Sequence, residues 1–159
     1  MWPSPSNNRV WMEWLFNHPP FFVAFGAATW AFTFYVLAAI EGWLILSKRF
    51  RFKGRFYGEV RPFQSGWMRF YVHFGNCLFV GADESGLYLA LFPLFRLWHP
   101  PLLIPWSEVS ITPGERGLIF KTRELRLGRE ERIPLRISCS LVRTLRESAG
   151  EAWPLESLA

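Results

Sequence analysis

From Phe21 to Ile40 every position is uncharged and nearly all are apolar, and five cations follow closely: Lys48, Arg49, Arg51, Lys53 and Arg55. Twenty residues at ~1.5 Å each cover about 30 Å, the thickness of a bilayer's hydrocarbon core. The pattern predicts one transmembrane helix over residues 21–46, followed by a basic juxtamembrane segment over 47–55. The cations mark the end that stays in the cytoplasm, which puts the N-terminus outside. A cleaved leader has a basic start, a shorter apolar stretch and a small-residue cleavage site, so this stretch reads as an anchor. Before it, Val10, Trp11, Trp14 and Leu15 share one helical face. The expectation is an external segment over residues 1–20 with a short interfacial helix, anchored by Trp11 and Trp14. Trp43 is expected at the inner aromatic belt.

Two features of the span suggest packing. Ala24, Ala28 and Ala31 form a stripe that lets a second helix approach closely. Glu41 falls within the predicted span, where a carboxylate costs a few kcal/mol unless it is paired, protonated or wetted. Lys48 is the nearest cation in the chain, and a partner's polar group is the alternative.

After Arg55 the helical period gives way to short β-type runs at 55–60, 67–74, 77–81, 87–95, 102–109, 118–123 and 125–135. Turn signals separate them: Gly75-Asn76, Asp83 to Gly86, Pro113-Gly114 and Gly128. Pro100-Pro101 cannot join a central ladder and marks the start of an edge strand. Ser138 or Ser140 caps a last helix running to Ala149, with Leu141, Val142 and Leu145 on its buried face and Gly150 ending it. The fold class predicted is one transmembrane α-helix plus a mainly-β barrel or sandwich over 56–149, closed by a C-terminal helix, with a tail over 150–159.

The net charge of +5 raises the question of nucleic acid. Residues 48–55 carry five cations and no acid, whereas residues 56–159 hold 12 Arg or Lys against 11 Asp or Glu. The excess is therefore juxtamembrane, a pattern suited to topology and anionic lipid headgroups and not to nucleic acid. On that topology Cys77 and Cys139 face a reducing compartment, so they are expected as free thiols.

The run Gly86-Leu87-Tyr88-Leu89, followed by His99-Pro100-Pro101-Leu102-Leu103-Ile104-Pro105-Trp106-Ser107-Glu108-Val109, resembles uncharacterised bacterial single-helix membrane proteins with a pleckstrin-homology-like (PH-like, GRAM-like) domain. The resemblance covers about residues 65–148 and implies a barrel closed by a helix, in a bacterial inner membrane. It implies no activity, since PH-like domains bind lipids, peptides or proteins by different surfaces.

No chemistry-bearing constellation stands out. The chain lacks a G-x-S-x-G, a P-loop and a G-x-G-x-x-G, and His18, His73 and His99 fall in different elements. His73 and Cys77 are a weak candidate for metal ligands, and His99 before two prolines reads as exposed. Lys48, Arg49, Arg51, Lys53 and Arg55, interleaved with Phe50 and Phe52, suit a headgroup layer. Arg123, Arg126, Arg129, Arg132 and Arg136 are interleaved with Glu124, Glu130 and Glu131 and read as a solvated hairpin. The functional expectation is a non-catalytic accessory subunit, without cofactor or metal, packing against other integral membrane subunits. Respiratory and photosynthetic assemblies supply the analogy. The rival is a free-standing tethered module that binds lipid headgroups or a peptide.

Overall fold

The computed structural model describes residues 19–69, 72–113 and 121–154, so the expected anchors Trp11 and Trp14 lie outside the described residues. The chain divides into two units, Met1–Phe34 and Tyr35–Ala159. Helix α1 (Pro19–Ile40) opens with Pro19 and Pro20, where a first turn has no use for their missing N–H groups. Its segment Pro20–Ile40, with a mean hydropathy of 1.8, is long and apolar enough to cross a membrane. Large apolar side chains such as Val23, Phe25 and Phe32 are exposed along it. Thr33 Oγ1 donates to Thr29 O at 2.8 Å, which satisfies that hydroxyl within the helix.

The helix expected over 21–46 ends at Ile40. Glu41 and Gly42 form a turn, and a second helix, α2 (Trp43–Phe50), follows. Gly42 causes the break on two counts. Its φ is +91°, in the left-handed region, and a Cβ there would come within 2.6 Å of Ile133 Cδ1. A residue with a side chain would resist both the conformation and the contact.

Seven antiparallel strands form one sheet: β1 (Glu59–Met68), β2 (Val72–Asp83), β3 (Gly86–Leu91), β4 (Leu102–Ile104), β5 (Val109–Ile111), β6 (Thr122–Leu127) and β7 (Ile133–Ser138). Their order is β4-β3-β2-β1-β7-β6-β5. The edge strands β4 and β5 are joined only by residues 105–108, including a 3-10 turn at Trp106–Glu108, so the sheet must curl into a near-barrel. Pro100-Pro101 does precede an edge strand. The expected strand 102–109 is broken by that turn, and 125–135 is broken by the hairpin at Gly128. The expected strand 118–123 falls largely outside the described residues.

Gly75-Asn76 is not a turn. Both lie within β2, where Asn76 takes a φ of 50° and the pairing with β1 slips between Gln64 and Gly66. Ser65 Oγ donates to Asn76 Oδ1 at 2.8 Å and accepts from Asn76 N at 3.1 Å, which fixes this bulge. At the other end of β2, Asp83 Oδ1 accepts from Ser85 N and Gly86 N, closing the expected tight turn into β3.

Helix α3 (Cys139–Ala149) is capped by Ser138, whose Oγ accepts from Leu141 N at 3.2 Å, and ends at Gly150. Leu141, Val142 and Leu145 are buried against the sheet. Beyond it Trp153 packs at a tilt against Trp106 with ring centroids 5.1 Å apart, so the start of the tail belongs to the fold. Because Leu145 is 1% exposed in this layer, Leu145→Ala should cost about 2–5 kcal/mol. Denaturant unfolding of the full chain in detergent checks this; an unchanged midpoint would mean the helix contributes little to closing the barrel.

Candidate functional site

The most unusual chemistry in the domain lies at the break between α1 and α2. Glu41 is 1% exposed and His99 is 1% exposed, and Glu41 Oε1 is 2.5 Å from His99 Nε2. Each is held by its own element. Glu41 N completes α1 by donating to Leu37 O at 3.0 Å, and His99 N closes a turn on Arg96 O at 3.1 Å. Trp43 sits beside them, its ring edge-on to His99 at 5.3 Å and its Nε1 donating to Pro100 O at 2.9 Å. Gly42 makes this possible by turning the chain so that Glu41 and Trp43 both face the segment 99–100.

The pair corrects several expectations. Glu41 does not await Lys48 or a partner's polar group; its partner is His99, from a distant part of the same chain. His99 is buried, not exposed. Trp43 is wholly buried in the core with Ala38 and Leu46, so its ring is covered by protein. The missed signal was Glu41-Gly42-Trp43: a glycine directly after the one carboxylate in an apolar run, with an indole next to it.

The electrostatics follow from burial. Glu41 lies just past the segment Pro20–Ile40, and removal from water pushes its carboxyl above the usual glutamate range, while the hydrogen bond and charge of His99 pull it part of the way back. Glu41 Oε2 has no hydrogen-bond partner among the described residues. Such a pair holds a joint together; it offers no nucleophile. Cys77 is also raised, mainly by burial, which disfavours its thiolate. Among the described residues no three His, Cys, Asp or Glu side chains group as metal ligands would.

The basic segment is only partly available to a headgroup layer. Arg49 reaches Glu131 Oε1 at 3.2 Å, and Glu108 and Glu130 at 3.5 Å, so it serves the domain. Phe50 is buried, so its ring is taken up by the core instead of the expected headgroup layer, and Phe52, half-buried, lies edge-on to Tyr88. Phe52 N donates to Pro101 O and Arg51 bridges Leu102, laying the segment along the β4 edge. Lys48, Arg51, Lys53 and Arg55 remain exposed. In the expected hairpin, Glu124 pairs with Arg136 at 3.0 Å and Arg126 at 3.4 Å. Ala24 and Ala28 are exposed and Ala31 is half-buried. His73 lies in β2 against Trp67, with ring centroids 4.7 Å apart.

Removing one member of a buried pair strands the other, so Glu41→Ala should destabilise the chain by about 3–5 kcal/mol. Glu41→Gln should cost less, because its amide still meets the imidazole. The pH dependence has a definite sign. A carboxyl raised in the folded state binds more protons there than when unfolded, so wild-type stability should fall relative to Glu41→Gln as pH rises from 4.5 through the raised value. Unfolding of both proteins in detergent across that range is the measurement. A difference that grows in favour of wild type would mean that the separated ion pair is the stabilised form.

No protein-family model, no curated protein and no solved structure matches this chain.

Proposed function

We propose that this protein is a non-catalytic, membrane-anchored accessory subunit, whose transmembrane helix and PH-like domain pack against a larger membrane protein complex. One observation carries the reading: the last six residues of the apolar helix, from Tyr35 to Ile40, belong to the same compact unit as the β-domain. A tether that merely kept a binding module near a membrane would need only a loose linker. Here Ala38, Glu41, Trp43 and Leu46 are built into the domain's core, so movement of the helix end must be felt by the sheet. That suits a scaffold better than a leash. The PH-like reading is supported by the element order, a four-strand meander followed by three strands and a closing helix. In this reading the membrane is a bacterial inner membrane, the N-terminus lies outside and the domain is cytoplasmic. Respiratory or photosynthetic assemblies are the analogous hosts, and no cofactor belongs to this chain.

A second reading, a free-standing module for anionic headgroups, is favoured by one cleft. It measures about 350 Å³ and is lined by Arg143 and Arg146, with Arg123, Ser140 and Trp153.

Recovery of the full chain in mild detergent, with mass spectrometry of whatever accompanies it, separates the two. A stoichiometric set of membrane subunits is expected. Ala28→Leu should insert normally yet weaken that recovery, since the bilayer accepts the extra methyl groups and only a helix–helix contact would resist them. A lone monomer whose melting temperature rises with a soluble inositol phosphate, and does so less in Arg143→Gln, would favour the second reading. Topology is checked separately: a cysteine at Ser6 should label from outside intact cells, and one at Glu130 should not.

A further inference from the structure

The domain exposes apolar side chains in one continuous stretch. After β3 the chain reads Phe92-Pro93-Leu94-Phe95-Arg96-Leu97-Trp98, with a 3-10 turn at Pro93–Phe95. Leu94 is 61% exposed and Leu97 53% exposed, and Phe92 and Trp98 are exposed over part of their surface. The loop is held in shape: Phe92 N donates to Cys77 O, and Arg96 Nε donates to Leu91 O at 2.8 Å. Phe63 extends the patch. A positive φ of 55° in β1, at a slip in the β1–β2 register, sets its exposed ring 6.3 Å from Phe92. From Gly86 to Ser107 the sequence contains one cation, Arg96, and no acid.

Water is the wrong solvent for such a surface. What covers it is indicated by Trp98, whose ring meets Tyr35 edge-to-face at 5.3 Å. Tyr35 lies within the segment long and apolar enough to cross a membrane, five residues before its end at Ile40. At ~1.5 Å per residue Tyr35 sits about 8 Å inside that end. A side chain touching it shares its depth, within the ~5–10 Å that interfacial segments penetrate. Trp, with its apolar ring and polar N–H, is the residue suited to that level. Arg96 would meet lipid phosphate there, and the sequence from Gly86 to Ser107 holds no acid to oppose an anionic surface.

We propose that the loop 92–98, together with Phe63 and Tyr35, inserts into the headgroup and upper acyl layer of the leaflet in which the helix ends. The domain then holds the membrane at two points, the helix and this loop. The inference rests on the membrane-spanning reading of α1 but not on the identity of any protein partner.

Nitroxide labels on the full chain, reconstituted in phosphatidylcholine–phosphatidylglycerol vesicles, test it. Single cysteines replace Leu94, Leu97, Phe32 and Glu130 in a Cys77→Ala, Cys139→Ala background, and collision with oxygen (lipid-soluble) is compared with collision with a nickel chelate (water-soluble). The expected result is an oxygen-to-nickel ratio at 94 and 97 several-fold above that at 130 and approaching that at 32. Ratios at 94 and 97 equal to that at 130, with 32 still in lipid, overturn the inference and leave the span intact. Low collision with both reagents at 94 and 97 also overturns it, and assigns the patch to a second copy or another protein. A water-like ratio at 32 overturns the span itself and the inference with it.

Discussion

The buried contact between Glu41 and His99 is the constraint on which the rest depends, because it joins the end of the apolar helix to the loop between β3 and β4 through two polar groups removed from water. A carboxylate at the end of an apolar helix would ordinarily be wetted or costly. Here its burial is offset by an imidazole supplied from the loop between β3 and β4, and the match needs Gly42 to turn the chain. Trp43 then seals the pair from the α2 side and reaches Pro100. Breaking any of the three would leave a polar atom buried or a core position empty. The helix end, the β3–β4 loop and the sheet are therefore one mechanical piece.

That piece explains the charge distribution better than topology does alone. Arg49 is drawn to Glu131, Glu130 and Glu108, so one of the five cations that follow the apolar run clamps α2 to the β6–β7 hairpin and the turn before β5. Individually such exposed contacts contribute little. As a cluster around one guanidinium they bring α2, that turn and that hairpin together. The remaining cations, Lys48, Arg51, Lys53 and Arg55, stay on the surface, where the proposed orientation needs them.

Much of this architecture was legible in the chain. Hydrophobic length announced α1, the Asp83–Gly86 turn announced a hairpin, and Ser138 with Gly150 bounded the closing helix to within a residue. The failures share a cause. A twenty-residue apolar run masks the helix break, because Trp43 to Leu46 are as apolar as a span and only Glu41 and Gly42 interrupt it. Gly75-Asn76 carries turn chemistry, yet a long strand absorbs it as a bulge once Ser65 supplies the hydrogen bonds. The Glu41–His99 pair spans 58 positions, so no local periodicity reports it; only the fold brings the two together.

The exposed loop 92–98 obeys the same logic from the opposite side. A domain that buries Ala38, Trp43 and Leu46 has apolar residues enough to build its core, and it still leaves Leu94 and Leu97 outside. His99, one residue beyond Trp98, is pinned by Glu41, and Arg96 fastens the loop's other side to Leu91. The loop is therefore held at both ends with its apolar side chains outward, close to Tyr35. A surface fixed in that way incurs little ordering entropy when it meets a nonaqueous neighbour, because the domain's own fold has already ordered it. The same pair that ends the helix thus also presents the surface beside it.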